Sequence, residues 1–156
     1  MIRLGLVRHA KSDWGDPMLD DHDRPLNERG LHDAPVMAAR LAESGFRPDV
    51  ILSSTALRAK TTAQSFAAAW GVGVRLDERL YGAPADVLLA TASESGARTL
   101  LVVAHDPGMS LLAGRLSDGE IVHMPTCAVA TFTWDADDWD VATALDPSEW
   151  TFDTPR

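Results

Sequence analysis

Three places in the chain carry residues that can bind and attack a phosphoryl group. Each place pairs a short apolar run with the residues that follow it: Ile2–Val7 with Arg8 and His9, Val50–Leu52 with Arg58, and Thr99–Ala104 with His105. Arginine presents a fixed fork of donors that matches phosphate oxygens, and a neutral histidine can act as a nucleophile or a base. The combination predicts chemistry on a phosphoryl group.

Short apolar runs that end abruptly in polar residues predict buried strands. Segments with helical spacing alternate with these runs: 27–42, 56–70, 85–93 and 107–116. This alternation predicts an α/β fold, a three-layer α/β/α sandwich with a mainly parallel central sheet. Because the carboxyl ends of parallel strands lie at one edge, the two histidines and two arginines are expected to line one cleft there.

Two other segments have less regular patterns. Residues 11–25 are polar and contain Gly15, Pro17 and Pro25, which predicts a long loop of the kind that is often functional. Near the C-terminus, residues 128–134 and 139–144 read as two strands that an acidic turn joins into a hairpin. The tail, 146–156, has no clear pattern.

Composition predicts one globular domain over residues 1–156, since 46% of the residues are apolar and 24% are charged. No apolar run approaches the ~20 residues of a membrane span, and no signal peptide is visible, so we expect a cytoplasmic protein. The net charge of -9 disfavours nucleic acid and anionic membranes as partners. The single cysteine, Cys127, excludes an intramolecular disulfide and a CxxC site, and we expect it to be a buried apolar residue.

Several alternative chemistries lack their motifs. There is no GxxxxGK[ST] loop for a nucleotide, and no HxH or HExxH cluster for a metal. The ordered motifs that are present resemble those of the histidine phosphatase superfamily, also called phosphoglycerate mutase-like. They are Arg8-His9-Ala10 (RHG/RHA), residues 53–63 (SSxxxRAxxTA) and residues 103–108 (VxHxPG), while residues 24–30 (RPLNERG) resemble the small SixA branch, the phosphohistidine phosphatases.

The resemblance implies a role for each matched residue. His9 would attack phosphorus and form a phosphohistidine intermediate that water then hydrolyses. Arg8, Arg58 and His105 would hold the phosphoryl oxygens. A backbone carbonyl is expected to set the tautomer of His9, and nearby arginines should keep its ring neutral. The resemblance implies no metal and no cofactor, because the guanidinium groups supply the positive charge.

The sequence gives weaker signals for the general acid and for further contacts with the substrate. Glu78 lies in an ExxxG setting like that of larger superfamily members, and it is either the acid or a solvated loop residue. Asp13 and Asp106 are lesser candidates. Ser12 is expected to contact phosphate, as in mutase-type relatives. Arg24 either joins the pocket as a third arginine or forms a salt bridge with Asp21 or Asp23.

The resemblance favours a metal-independent phosphatase acting on phosphohistidine proteins, since little chain between 68 and 99 is left for a lid. A phosphatase of small phosphomonoester metabolites is the close alternative. A phosphate-binding module without turnover would keep Arg8, Arg58 and His105, although binding alone does not need His9. Oligomeric state, physiological substrate and pathway are not readable from the sequence.

Overall fold

The computed structural model describes residues 1–156 and contains one six-stranded sheet. The strands in chain order are β1 (Ile2–Arg8), β2 (Val50–Ser53), β3 (Val74–Leu76), β4 (Thr99–Ala104), β5 (Val129–Trp134) and β6 (Glu149–Asp153). Their order across the sheet is β3-β2-β4-β1-β5-β6. The first four in this order are parallel, whereas β5 and β6 pair antiparallel. The predicted mainly parallel sheet is confirmed.

Helices cover both faces of this sheet. They are α1 (Glu28–Glu43), α2 (Leu57–Trp70), α3 (Ala85–Glu94), α4 (Gly108–Leu116) and α5 (Trp139–Thr143), with short 3-10 helices at Asp21–Asp23 and Glu78–Leu80. One apolar cluster joins the sheet to α1 and α2, and a second joins it to α3, α4 and α5. The three-layer sandwich is therefore confirmed. No helix is long and apolar enough to cross a bilayer.

Strand register brings the predicted site residues to one edge. Arg8 at the end of β1 pairs with Ala104 at the end of β4, and Ser53 at the end of β2 pairs with Val103. The residues that follow these strands therefore leave the sheet side by side. The central strands are almost wholly buried, and each buried Val, Leu or Ile side chain contributes about 1.5–3 kcal/mol to folding. This core makes the site edge a rigid platform.

The predicted second strand of the C-terminal hairpin is wrong. Residues 139–143 form α5, because the Asp138 carboxylate accepts the Val141 N–H at 2.9 Å and caps the helix. Trp139 and Ala142, three residues apart, are both buried, which is helical spacing. The strand that pairs with the free edge of β5, opposite β1, is β6, in the tail without a clear pattern. All five β6 residues are exposed. Trp150 and Phe152 alternate with polar residues, but an alternation of five residues is too short to predict a strand by itself.

The predicted long loop over residues 11–25 is confirmed, and it contains the 3-10 helix Asp21–Asp23. Backbone contacts join the two ends of the loop, which we call its base. Ser12 and Leu26 form an isolated antiparallel bridge, and the Asp13 N–H donates to the carbonyl of Pro25 at 2.8 Å. The start of α1 lies tightly against this base. A Cβ on Gly30 would stand 2.2 Å from the Lys11 carbonyl oxygen, so only glycine fits there.

Candidate active site

His9 stands where β1 leaves the sheet. Its backbone N–H donates to the carbonyl of Ala104 at 3.0 Å, and its side chain is buried. Its Nδ1 lies 2.8 Å from the carbonyl oxygen of Ala10. Because a carbonyl oxygen can only accept, Nδ1 carries the proton and Nε2 keeps its lone pair. The predicted backbone control of the tautomer is present.

Burial and charge keep the His9 ring neutral. The pKa of His9 is lowered from 6.5 to about 4, mainly because desolvation by burial disfavours the imidazolium. The hydrogen bond to Ala10 opposes this shift, and the charges of Arg58, Arg8 and Arg24 contribute to it. At neutral pH the ring is therefore in the form that can donate a lone pair.

His105 packs beside His9 in the same buried space. The two ring centroids are 5.1 Å apart, and the His105 Nε2 lies 2.8 Å from the Ser54 hydroxyl. Burial, followed by the nearby His9, lowers the pKa of His105 to about 3. Its Nδ1 is buried and has no hydrogen-bond partner in the protein. Buried polar atoms without partners are uncommon and suit a ligand oxygen here.

Arg58, in the first turn of α2, is held by the long loop. Its guanidinium donates to the Asp21 carbonyl at 2.6 Å and to the Asp21 carboxylate at 2.9 Å. The same carboxylate accepts the Tyr81 hydroxyl at 2.7 Å, and this hydrogen bond is the main reason that the pKa of Asp21 is lowered. The Tyr81 ring in turn meets His105 edge-on, with centroids 5.5 Å apart. Asp21 thus connects the long loop to Arg58 and to Tyr81, whose ring contacts His105.

Arg24 is buried although it belongs to the loop. It donates to the Asp21 carboxylate at 3.1 Å, to the Ser12 hydroxyl at 2.5 Å and to the Asp13 carbonyl at 3.2 Å. Its guanidinium carbon stands 3.2 Å from the centroid of the Trp14 ring. Arg24 therefore forms a salt bridge with Asp21, which is one of the two predictions for this residue. Its charge also helps to lower the pKa of His9.

Arg8, at the end of β1, is held by contacts outside the long loop. Its Nη1 donates to the Met124 carbonyl at 3.0 Å and lies 3.6 Å from the Asp106 carboxylate. The Nε of Arg8 is buried and has no partner. Asp106 also lies 3.6 Å from the His123 ring. Asp106 therefore helps to fix the position of Arg8.

Backbone contacts hold the Arg8-His9 turn. Thr62 of α2 accepts the Ala10 N–H at 3.0 Å. Cys127, at a positive φ of 63°, donates its N–H to the carbonyls of Arg8 and His9 at 3.0 and 3.1 Å. The Cys127 side chain is buried as predicted, and burial raises the pKa of its thiol to about 12. It is thus a packing residue in its neutral form.

The structure brings together most of the residues that the sequence singled out, namely Arg8, His9, Ser12, Arg24, Arg58 and His105. Glu78 begins the second 3-10 helix, is exposed, and forms no side-chain hydrogen bond or ion pair. Sequence reasoning named Asp21 only as a possible salt-bridge partner of Arg24, and it missed the contacts of Asp21 with Arg58 and Tyr81. No local pattern marks the contact with Tyr81, because it joins residues 60 positions apart.

Other cavities and clusters offer less to an anion. A cavity of about 380 Å³ lies between α1 and the β5–β6 hairpin, and no histidine lines it. Its charged lining is one cation, Arg3, against Glu149 and Asp153. No group of three or more His, Cys, Asp or Glu side chains is arranged to hold a metal ion. The cluster around His9 is the site best suited to a phosphoryl group.

Comparison with known proteins identifies the family. The model of the histidine phosphatase superfamily (branch 1) matches residues 4–82. The chain belongs to this superfamily. An uncharacterized chloroplastic protein of Arabidopsis thaliana is 32% identical over 95% of this chain and 74% of its own length. An uncharacterized protein of Mycobacterium tuberculosis is 40% identical over 69% of this chain and 67% of its own length.

Solved structures agree with this assignment. A crystal structure from Agrobacterium tumefaciens, whose name assigns it to the SixA phosphohistidine phosphatases, superimposes with a TM-score of 0.77. It is 31% identical and the match covers 84% of this chain and 91% of that one. Family membership and this likeness support phosphatase activity and confirm the phosphoglycerate mutase-like fold.

Proposed function

We propose that the protein is a metal-independent phosphatase that transfers a phosphoryl group to His9 and then to water. The observation that carries this proposal is the neutral, buried His9, with Nδ1 bonded to Ala10 and Nε2 unpartnered. A ring in this state is a nucleophile at neutral pH. Arg8, Arg58 and His105 surround it, and their donors would stabilise charge on the phosphoryl oxygens.

The reaction has two displacements. Nε2 of His9 attacks phosphorus and forms an N–P bond, while the bond to the leaving group breaks and its electron pair stays with the leaving atom. Water then attacks the phosphohistidine: a P–O bond forms, the N–P bond breaks, and its electron pair returns to Nε2 of neutral His9. Inorganic phosphate keeps one proton of the water, and the other replaces the proton that the leaving group took up or passes to solvent. A protonated imidazole leaves without help, whereas an alkoxide needs an acid. Glu78 is our candidate for that acid in ester hydrolysis.

We propose phosphohistidine on a protein as the substrate. Three arginines and two aspartates meet at the site, and the outer loop adds more aspartates, so a substrate with further carboxylates or phosphates would be repelled. An imidazole leaving group carries no such charge. The likeness to a SixA-type structure supports the same class. A small phosphomonoester metabolite is the alternative, and the same geometry would serve one whose leaving group carries no further negative charge.

Hydrolysis assays with a chelator present test this proposal. We would compare the wild type with His9→Ala on a phosphohistidine peptide and on an aryl phosphate. The expected result is activity that survives chelation, is lost in the variant, and favours the peptide. Preference for the aryl phosphate would support the small-molecule alternative. Full activity in His9→Ala, or loss of activity with chelator, would overturn the proposal.

A further inference from the structure

We propose that a groove beside the site binds the polypeptide next to the phosphorylated residue, through one apolar and one basic side chain. This inference rests on the proposed function. The groove, called here the loop groove, has a volume of about 300 Å³. It is lined by Trp14, Asp16, Pro17, Leu19, Asp21 and Arg24.

The loop groove is continuous with the phosphoryl site. Asp21 and Arg24 line the groove, and the Asp21 carboxylate also binds Arg58 at 2.9 Å. A ligand whose phosphoryl group sits against Arg58 would therefore extend directly into the groove. A small metabolite ends before this point, whereas a polypeptide continues in both directions from the modified side chain.

The apolar part of the groove is exposed. The Trp14 ring is stacked against Arg24, yet the residue remains 71% exposed. Leu19 is 39% exposed, and the adjacent Met18 is 88% exposed. Neighbouring apolar side chains that face solvent beside a site mark an interaction surface. An aliphatic side chain of the substrate would cover this surface.

The charge of the groove selects a basic partner. The loop carries a run of exposed aspartates against one lysine and the paired Arg24: Asp13, Asp16, Asp20, Asp21 and Asp23. Asp16 lines the groove, and its carboxylate is not engaged with any cation, although it accepts the Met18 N–H at 2.9 Å. A lysine or arginine of the substrate would complement it.

The loop is held in place before any ligand arrives. Its base is closed by the Ser12–Leu26 bridge, and its far end is pinned where Asp21 accepts from Arg58 and Tyr81. A preformed surface avoids the entropic cost of ordering a loop on binding. The groove can therefore contribute affinity even through few contacts.

Calorimetry on the His9→Ala protein tests the groove without turnover. The probe is a synthetic peptide in which phosphohistidine is flanked by lysine and leucine. Its control carries glutamate and serine instead. The double variant Asp16→Asn and Leu19→Ala keeps the acceptor for the Met18 N–H and removes the charge and the apolar contact. We expect it to weaken binding of the lysine-leucine peptide about tenfold, and to leave the weaker control peptide unchanged.

Equal binding of the two peptides, or no effect of the double variant, would overturn the inference. Turnover of the lysine-leucine peptide by the wild type and by the double variant, both with His9 intact, separates this failure from failure of the proposed function. Peptide that binds in the groove without being hydrolysed refutes the function alone. Peptide that the wild type and the double variant hydrolyse equally refutes the groove alone. If light scattering shows that the double variant dissociates an oligomer, the groove holds a second copy and the inference is wrong.

Discussion

The lowered pKa of His9 makes a quantitative prediction about stability. The folded protein keeps this ring neutral down to a pKa of about 4, whereas the unfolded chain takes up a proton near 6.5. Between these values the unfolded state binds more protons, so stability falls as the pH drops through this window. From pH 7 to pH 5, His9 alone should cost the fold about 2 kcal/mol, at ~1.4 kcal/mol for each pH unit.

Urea unfolding of the wild type and of His9→Ala at several pH values isolates this effect. The variant lacks the titrating ring, so its stability relative to the wild type should rise by about 2 kcal/mol between pH 7 and pH 5. The exposed His32 provides the matched control, and His32→Ala should follow the wild type. If the difference in unfolding free energy between the wild type and His9→Ala stays constant with pH, the claim that the His9 ring is held neutral is refuted.

Three further predictions concern single side chains. Arg58→Lys keeps the charge but loses the fork, so kcat/KM for an aryl phosphate should fall about 100-fold; a fall of less than threefold would exclude Arg58 from charge stabilisation. Glu78→Gln should slow hydrolysis of a phosphoserine peptide more than tenfold but leave phosphohistidine hydrolysis within twofold, and equal effects would exclude it as the acid. Asp138→Ala should lower the free energy of unfolding in urea by about 1 kcal/mol, because α5 loses its N-cap. Asp135→Ala, the control at an aspartate that does not cap the helix, should change this free energy little.

The parts of the fold that sequence predicts well are those with a single dominant signal. The apolar runs of β1, β2 and β4 are buried on both faces, so they stand out in the sequence and end sharply at the polar site residues. Parallel pairing then brings Arg8, His9, Arg58 and His105 to one edge. Local pattern and topology agree there, and most of the candidate site follows from them.

The C-terminal region shows where this reasoning fails. β6 is an exposed edge strand whose pairing with β5 is set by tertiary contact, and α5 is too short to show more than one turn of its pattern. The contacts of Asp21 with Arg58 and Tyr81 could not be predicted from the sequence, for a related reason. A loop carboxylate that binds Arg58 and Tyr81 is recognisable only after the chain has folded, because polar loop residues carry no periodicity.

The most direct test of the account is to trap the phosphoryl group on the protein. The wild type would be mixed with a phosphohistidine peptide in the presence of chelator and quenched with alkali, which preserves a phosphorus–nitrogen bond. Mass spectrometry of the digested protein should locate one phosphoryl group on the fragment that contains His9, and none in His9→Ala. A label on another residue, or turnover by wild type and His9→Ala at equal rates, would contradict the central assignment.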